Sequence, residues 1–335
     1  MNDKQVKLVE EIKHQKGEFG GFSFGGQQPD GVNAHNPLPQ AMIFPNGAKA
    51  AILLTFDVEG NFGNGAGDEL KEVSNYKKIS DCLSKNKLRA TFNVLGEMVE
   101  RHGSNFVEWM LEAGCEVASH GYWHNLNIHY GGNLIYAGHY GFSENFEQIL
   151  RSIEVLAPII GSRPKGIRMP YGHFNEFTYA AMEELDLIWA SNVGIDENSY
   201  GSSPFQMQLG EQIYDLVEIP LDNQTFDWAI LEADVFSNAS TVKQVQNYCH
   251  IKKFPFSRNV DCAINIWKQR INDTIEKQTV FTLLCHPINL VTDEKERVND
   301  FLFSIIDYLS KLQNENKLWI CTCSEMACFA KKIKN

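Results

Sequence analysis

Residues 52–61 read Ile-Leu-Leu-Thr-Phe-Asp-Val-Glu-Gly-Asn, and this stretch decides the fold. Five apolar or β-branched residues in a row predict a buried strand, which ends at two acids and a glycine. Asp57 and Glu59 lie two positions apart, so their side chains leave the strand on the same face. Because α/β folds place their chemistry at the carboxyl ends of strands, one acid could move protons while the other holds a cation.

Apolar segments of strand length alternate with segments of helical period along most of the chain. Strands are predicted at 50–56, 90–95, 116–119, 187–191, 279–285 and 319–323, with a short strand tip at Ile167, and helices at 73–83, 107–113, 146–156, 178–185, 263–276 and 298–313. The strands are nearly continuous in apolar residues. Strands of this kind, separated by helices, predict an α/β fold with a parallel sheet or barrel.

Two regions depart from this alternation. Residues 1–46 begin with a polar, helix-like run and are then rich in Gly, Pro, Asn and Gln, which predicts an irregular N-terminal arm. Such an arm could wrap the domain or a partner subunit, so a homo-oligomer formed through it is one hypothesis. Residues 196–260 are turn-rich around a strand-like segment at 214–220, and we predict a lid or rim insertion within a barrel domain at 47–335.

The bulk composition excludes some classes of partner. The 335 residues include 30 Lys and Arg against 42 Asp and Glu, a formal net charge of −12, which argues against nucleic acid or an anionic membrane as the main partner. No apolar run approaches the ~18 residues that a membrane-spanning helix needs. The first residues lack the apolar core of a signal peptide, so the predicted location is cytoplasmic. The eight scattered cysteines are predicted to be reduced thiols.

A pair of histidines follows the predicted strand 116–119. His120 and His124, together with Glu59, would supply two imidazoles and a carboxylate, a donor set suited to one divalent ion: zinc first, with cobalt or nickel as alternatives. The spacing alone is weak, because two polar residues in a turn would look the same. Their position directly after a buried strand, like that of the acidic pair, favours a metal site.

Three other side chains are candidates for catalysis. Asp57 could take a proton from water, although a solvated strand end would explain Asp57 and Glu59 equally well, and spacing does not assign their roles. Arg168 opens a sharp turn, where it could pair bidentately with the base while a backbone N–H near Tyr171 stabilises an oxyanion. His286 ends the strand 279–285 and could protonate a leaving amine, or it could simply be buried and bound to backbone.

The four motifs, taken in order, resemble the polysaccharide deacetylase family (NodB type, carbohydrate esterase family 4). They are an acidic motif, His-x-x-x-His, Arg-x-Pro-Tyr and a late histidine after an apolar strand. The resemblance spans about 47–195 and 262–330 and implies a distorted (β/α) barrel with its site at the carboxyl ends of the strands. It also implies residue roles: Asp57 as base, Glu59, His120 and His124 as metal ligands, Arg168 as the residue that tunes the base, and His286 as acid.

This chain departs from the family pattern in three places. The usual adjacent Asp-Asp pair is Asp-x-Glu here, which is closer to the branch with cytoplasmic peptidoglycan-deacetylase-like proteins, cyclic imide hydrolases and allantoinase-like enzymes. Since Glu59 is one methylene longer than Asp, the metal would sit differently, or be absent as in allantoinase-like members. Trp123, between the histidines, could shape a closed pocket. Finally, no clear motif supplies the acid that would orient His286, and the candidates are Asp222 and Asp227.

Three functional hypotheses follow. The first is a metal-dependent hydrolase of an amide-type C–N bond that deacylates an N-acetyl or N-formyl amino sugar, soluble or carrier-linked. The second, within the same family, is a hydrolase of cyclic imides or ureides, as in allantoinase-like proteins. The third is of another class: a non-catalytic carbohydrate-binding or assembly protein on the same fold. A metal content of one divalent ion per chain would separate the first from the third.

Overall fold

The structure is a computed structural model, and it describes most of the chain. The described residues are 32–39, 42–60, 69–124, 127–130, 133–136, 140–194, 203–222, 225, 227–231, 239–253, 255–257, 259–290 and 298–334. The predicted helix-like run at the N-terminus, and with it most of the predicted arm, lies outside these ranges. The contribution of the arm to an oligomer therefore stays a prediction.

Twelve strands are present in the described residues. They are β1 Val32–His35, β2 Ala50–Val58, β3 Thr91–Val94, β4 Glu116–Ser119, β5 Asn127–Tyr130, β6 Asn133–Tyr136, β7 Gly166–Ile167, β8 Trp189–Ala190, β9 Phe205–Leu209, β10 Gln212–Glu218, β11 Val280–Cys285 and β12 Leu318–Ile320. The predicted strands at 50–56, 90–95, 116–119 and 279–285 are confirmed. The predicted strand 319–323 is wrong at its end, because it stops at Ile320 and a helix begins at Cys323.

Ten α-helices accompany these strands in the same ranges. They are α1 Glu69–Lys85, α2 Gly96–His102, α3 Asn105–Glu112, α4 Phe142–Ile160, α5 Glu176–Glu184, α6 Asp227–Leu231, α7 Ala239–Ile251, α8 Val260–Lys277, α9 Ser304–Asn314 and α10 Cys323–Lys334. The predicted helix 298–313 is one π-helical turn, Val298–Phe303, followed by α9. None of the described helices combines the length and the apolar character needed to cross a membrane.

The main sheet has the strand order β1-β9-β10-β8-β7-β4-β3-β2-β11, and β12 also pairs with β2. All pairs from β10 to β11 along this path are parallel, whereas β1, β9 and β10 pair antiparallel. All nine residues of β2 are buried, as expected for a central parallel strand that is covered on both faces. Parallel pairing brings the carboxyl ends of these strands to one edge, and the motifs follow those ends.

The sheet curves into a barrel that paired strands do not close. In the described residues no strand pairing joins β10 to β11. A 3.5 Å hydrogen bond from the Asp222 N–H to the Thr282 carbonyl crosses this gap. The prediction of a distorted α/β barrel is therefore confirmed as a fold class, with an open seam between β10 and β11.

The predicted lid or rim at 196–260 contains part of the barrel itself. β10 pairs in parallel with β8, so this strand extends the main sheet, and β9 joins β10 to β1. The remaining described parts of this region include α6 and α7. The division into an arm at 1–46 and a barrel at 47–335 stays a prediction.

The amino ends of the strands are tied together by one carboxylate. Glu116 accepts hydrogen bonds from the Ser324 N–H at 3.0 Å, the Thr91 hydroxyl at 2.9 Å and the Trp189 indole N–H at 3.1 Å. Trp189 itself lies against Gly166, where an added Cβ would stand 2.1 Å from the indole ring. A larger residue at Gly166 would therefore displace the Trp189 ring from its position at this end of the sheet.

Candidate active site

The structure brings all the predicted site residues to the carboxyl edge of the sheet. Asp57 lies near the end of β2 and Glu59 just beyond it, His120 follows β4, Arg168 follows β7 and His286 follows β11. His124 completes this group, and all six side chains are buried. Buried charged groups are costly unless they are paired, so their contacts define what this site can do.

Asp57 is held by two donors on one of its oxygens. Arg168 Nη1 and Asn93 Nδ2 each donate to Asp57 Oδ1 at 2.8 Å. Asp57 Oδ2 lies 4.0 Å from His286 Nε2. Burial acts to raise the pKa of Asp57, but the charge of Arg168, with smaller contributions from His120 and His286, outweighs it, so the pKa is lowered and the carboxylate is ionised.

Asn93 is a site residue that the sequence analysis missed. It lies in β3 directly opposite Asp57 of β2, in the register of the parallel pair. A signal was present, because Asn93 is an amide in the middle of the apolar strand predicted at 90–95. A buried amide in such a strand needs a hydrogen-bond partner, and here that partner is Asp57.

Arg168 is fixed by contacts along its whole guanidinium group. Its Nε donates to the Ser191 carbonyl at 3.1 Å and its Nη2 to Ser191 Oγ at 2.9 Å, while Nη1 also reaches Thr55 Oγ1 at 3.0 Å. The expected bidentate pair with Asp57 is therefore not formed, since a single nitrogen contacts a single oxygen. The remaining donors are occupied by Ser191, which fixes the guanidinium relative to the sheet.

Glu59 faces both histidines of the second motif. Its Oε2 lies 3.1 Å from His120 Nε2 and 2.9 Å from His124 Nε2. Burial acts to raise the pKa of Glu59, but the combined effect of His124, His286 and the hydrogen bonds with His120 and His124 outweighs it, so the pKa lies well below its usual range. Burial lowers the pKa of His124 despite the opposing effect of Glu59, which favours a neutral ring.

These three side chains fit a divalent metal. His120 Nδ1 lies 2.7 Å from the Arg168 carbonyl, which only accepts, so Nδ1 carries the proton. In a neutral ring His120 Nε2 then directs a lone pair at the Glu59 carboxylate, and the two acceptors repel unless a cation lies between them. Fixing a ligand's tautomer through its other ring nitrogen is the usual outer contact of a metal-binding histidine.

His286 pairs with Asp227, and the structure thus distinguishes between the two predicted partners. Asp227 Oδ1 lies 2.7 Å from His286 Nδ1, and its Oδ2 accepts the His286 backbone N–H at 2.7 Å. Asp222 pairs instead with Arg270 at 3.0 Å. Burial acts to lower the pKa of His286, but Asp227, together with Glu59 and Asp57, outweighs it and raises the pKa to about 9. His286 is therefore protonated at neutral pH.

The turn after Arg168 has an unusual backbone. Tyr171 adopts φ 58° and ψ 8°, a left-handed conformation that bulky residues rarely take outside functional sites. Its ring lies 4.2 Å from the His124 ring, measured between centroids. Gly121 has a φ of +75°, and a Cβ there would lie 3.3 Å from Pro170 Cδ, so glycine allows the histidine motif to contact this turn.

The Trp123 ring contacts Tyr122 and Arg151. It packs edge-on against Tyr122 with centroids 4.7 Å apart, and the Arg151 guanidinium lies 5.1 Å from the ring centroid. Arg151 belongs to α4. The part of Trp123 in shaping a pocket stays a prediction.

Residues 45–188 match the family model for polysaccharide deacetylase. The matched span contains the acidic, histidine and Arg-x-Pro-Tyr motifs and ends before His286. The resemblance to the polysaccharide deacetylase family is thereby confirmed.

Among curated proteins, the chain is similar to a peptidoglycan-N-acetylglucosamine deacetylase of Bacillus cereus. The two are 28% identical over 190 residues, which is 57% of this chain and 50% of the relative. The chain thus spans half the length of that relative.

Two solved structures share the fold over nearly the whole chain. A Mycobacterium smegmatis protein assigned to the polysaccharide deacetylases has a TM-score of 0.64 at 20% identity, covering 90% of this chain and 96% of that one. Puue allantoinase has a TM-score of 0.60 at 15% identity, covering 87% of this chain and 92% of its own. At these identities the likeness establishes the fold.

Proposed function

We propose that this protein is a metal-dependent hydrolase of amide-type C–N bonds that removes an N-acetyl or N-formyl group from an amino sugar. One observation carries the proposal. An ionised Asp57, a protonated His286 and the Glu59–His120–His124 group lie together at the carboxyl edge of the sheet, where His286 Nε2 is 4.0 Å from Asp57 Oδ2 and 3.6 Å from Glu59 Oε1. Base, acid and metal ligands are what amide hydrolysis requires.

The metal would be held by Glu59, His120 and His124. Two imidazole nitrogens and a carboxylate oxygen suit zinc, with cobalt or nickel as alternatives. When bound, such an ion polarises a substrate carbonyl and lowers the pKa of water. We expect one ion per chain.

Asp57 would act as the base that takes the proton of the attacking water. Its Oδ1 is occupied by Asn93 and Arg168, so Oδ2 is the oxygen available for the proton. Arg168 keeps the carboxylate ionised at neutral pH, and it stays in place because Ser191 holds the guanidinium.

His286 would donate a proton to the leaving nitrogen from its Nε2 atom. Asp227 binds Nδ1, so it fixes the ring and favours the protonated form. The His286 Nε2 atom then lies 3.6 Å from Glu59 Oε1. The backbone N–H of Tyr171, in its left-handed conformation, would stabilise the negative charge that develops on the carbonyl oxygen.

The amino-sugar substrate is supported by the family model and by the deacetylase of Bacillus cereus, which is named for peptidoglycan N-acetylglucosamine. A cyclic imide or ureide is the second candidate, because Glu59 takes the place of the usual second Asp and the fold is also that of Puue allantoinase.

A substrate panel tests the proposal. The purified protein, loaded with Zn²⁺, Co²⁺ or Ni²⁺, is assayed for released acid or amine on N-acetylglucosamine, its trimer, N-formyl amino sugars, cyclic imides and ureides. We expect acetate or formate from an amino sugar and a loss of about 10²–10⁴ in kcat for Asp57→Asn, which keeps its metal.

Two results would contradict the proposal. Ring opening of an imide or ureide without deacylation would replace the amino sugar with the second candidate. No turnover of any compound by the loaded wild type, with saturable binding of the N-acetylglucosamine trimer, would favour the non-catalytic hypothesis.

A further inference from the structure

Ser191, Asn192 and Val193 follow β8. The first two contact Arg168 and Met169, at the start of the Arg-x-Pro-Tyr turn. We propose that Asn192 and Glu218 are positioning residues of the hydrolase, which hold this turn and Arg168 in the arrangement that catalysis needs. The inference rests on the proposed function, and it assigns a purpose to two buried polar residues outside the four motifs. Both side chains are fully buried.

Asn192 is connected to the turn by one hydrogen bond. Its Oδ1 accepts the backbone N–H of Met169 at 2.8 Å. Met169 stands between Arg168 and Pro170, and Pro170 has no N–H to offer. The bond from Asn192 therefore fixes the backbone at the point where the chain enters the left-handed turn at Tyr171.

Glu218 holds Asn192 in turn. Glu218 Oε1 accepts the backbone N–H groups of Asn192 at 2.6 Å and Val193 at 2.7 Å, and Oε2 accepts the Tyr179 hydroxyl at 2.7 Å. Tyr179 also accepts a hydrogen bond from Asn192 Nδ2 at 3.3 Å. Thus both the backbone and the side chain of Asn192 are fixed.

The same segment also holds the arginine. Ser191 accepts from Arg168 Nε and Nη2, and its own hydroxyl donates to the Ile219 carbonyl next to Glu218. One segment therefore orients the Arg168 side chain through Ser191 and the Met169 backbone through Asn192. Glu218 fixes this segment through the Asn192 and Val193 N–H groups, so it acts on both contacts indirectly.

Kinetics on the N-acetylglucosamine trimer test this inference. For Asn192→Ala and Glu218→Ala we expect kcat to fall about 10- to 100-fold, KM to stay within about threefold, and the metal content to be unchanged. Glu218→Gln should recover most of the activity, because its amide oxygen still accepts both backbone N–H groups. Glu116→Ala is the matched control, since Glu116 accepts similar donors at the opposite end of the barrel.

Hydrogen exchange provides a readout that needs no substrate. In Asn192→Ala the amides of Met169, Tyr171 and Gly172 should exchange faster, and those of 119–122, which carry the first histidine ligand, should be unchanged. If Glu218→Ala does not fold, Asn192→Ala decides alone, because it removes one acceptor and a few atoms.

The two proposals fail in different ways. If the wild type deacylates the trimer and Asn192→Ala keeps its kcat and its exchange rates, the positioning role is wrong and the proposed function stands. If the wild type turns over nothing in the panel, the proposed function fails, and the exchange rates at Met169, Tyr171 and Gly172 alone decide whether Asn192 holds the turn. A kcat loss that Glu116→Ala shares equally would show a general loss of stability.

Discussion

The two ends of the same sheet use acidic residues in opposite ways. At the amino end, Glu116 is surrounded by donors: an N–H of the backbone, an indole N–H and hydroxyls. At the carboxyl end, Glu59 faces two imidazole nitrogens, and His120 presents a lone pair to it when neutral. The first carboxylate is satisfied by donors from the fold, whereas the second fits the divalent cation that we propose.

The hydrogen-bond partners of Glu116 and Glu59 separate an acid that stabilises the fold from a candidate functional acid. Glu116 begins β4 and Glu59 directly follows β2, and both side chains are at least half-buried, so burial alone does not separate them. The identity of the partners does. A carboxylate with a full set of donors holds strands together, and one that faces other acceptors marks a place for an ion or a mobile proton.

The largest expected effect is the loss of metal at the carboxyl end. His120→Ala removes one of three ligands, so we expect less than about a tenth of the wild-type zinc content and no thermal stabilisation by added Zn²⁺, Co²⁺ or Ni²⁺. Elemental analysis and thermal denaturation measure both. His250→Ala, at an exposed position in α7, is the matched control and should bind metal like the wild type. Equal metal content in the two variants would contradict the assigned ligand set.

A smaller effect is expected from the acid that pairs with His286. The raised pKa of His286, about 9, means that the proton donor is present below that pH and activity falls as the pH rises through it. Asp227→Asn removes the main cause of the raised pKa, so the alkaline limb of the kcat profile should move down by ~1–2 pH units. Asp222→Asn, which alters the partner of Arg270, should leave the limb in place.

The same variant has a stability signature with a definite sign. Since the folded pKa lies above the ordinary 6.5, the His286–Asp227 pair contributes stability that is fully present below pH 6.5 and is lost as the pH rises through about 9. The deficit of Asp227→Asn in the free energy of unfolding should therefore narrow between these values. A deficit that is constant with pH would argue against the ion pair.

The smallest effect on catalysis is expected at the amino end. Glu116→Ala leaves several donors without an acceptor, so the free energy of unfolding should fall by about 1–3 kcal/mol. Urea denaturation measures the loss, and kcat and the metal content should match the wild type. A kcat loss as large as that of Asn192→Ala would remove the distinction between the two ends.

Strands that are long and apolar were predictable, and so were the motif positions at their ends. Strand 116–119 has the predicted bounds, and β2 extends the predicted strand by two residues through Val58. The short elements were harder to predict: α2, with seven residues and no side-chain cap, was missed, and β8 has only two of the five residues of the predicted strand 187–191. Such elements are specified by their neighbours in space more than by their own residues.

The residues that support the site could not be predicted from the sequence either. Asp222 and Asp227 are both acids near a tryptophan, and the one that reaches His286 is decided by where α6 begins. Ser191 and Asn192 directly follow a two-residue strand and match no motif, yet their contacts reach Arg168 and Met169. Such partners are selected by the register between strands that are distant along the chain. That register cannot be read from a single sequence.

The pairing of β2 with β11 has a consequence for how the chain becomes active. Thr55 in β2 donates a hydrogen bond to Leu283 in β11, which lies 228 positions later. During synthesis from the N-terminus, the first acidic motif leaves the ribosome long before the strand that completes its surroundings. Until β11 has been synthesised, the edge of β2 that pairs with it stays apolar and unpaired, and such edges are prone to aggregation. A partial chain that lacks β11 therefore lacks both the strand that covers this edge of β2 and His286, the proposed proton donor.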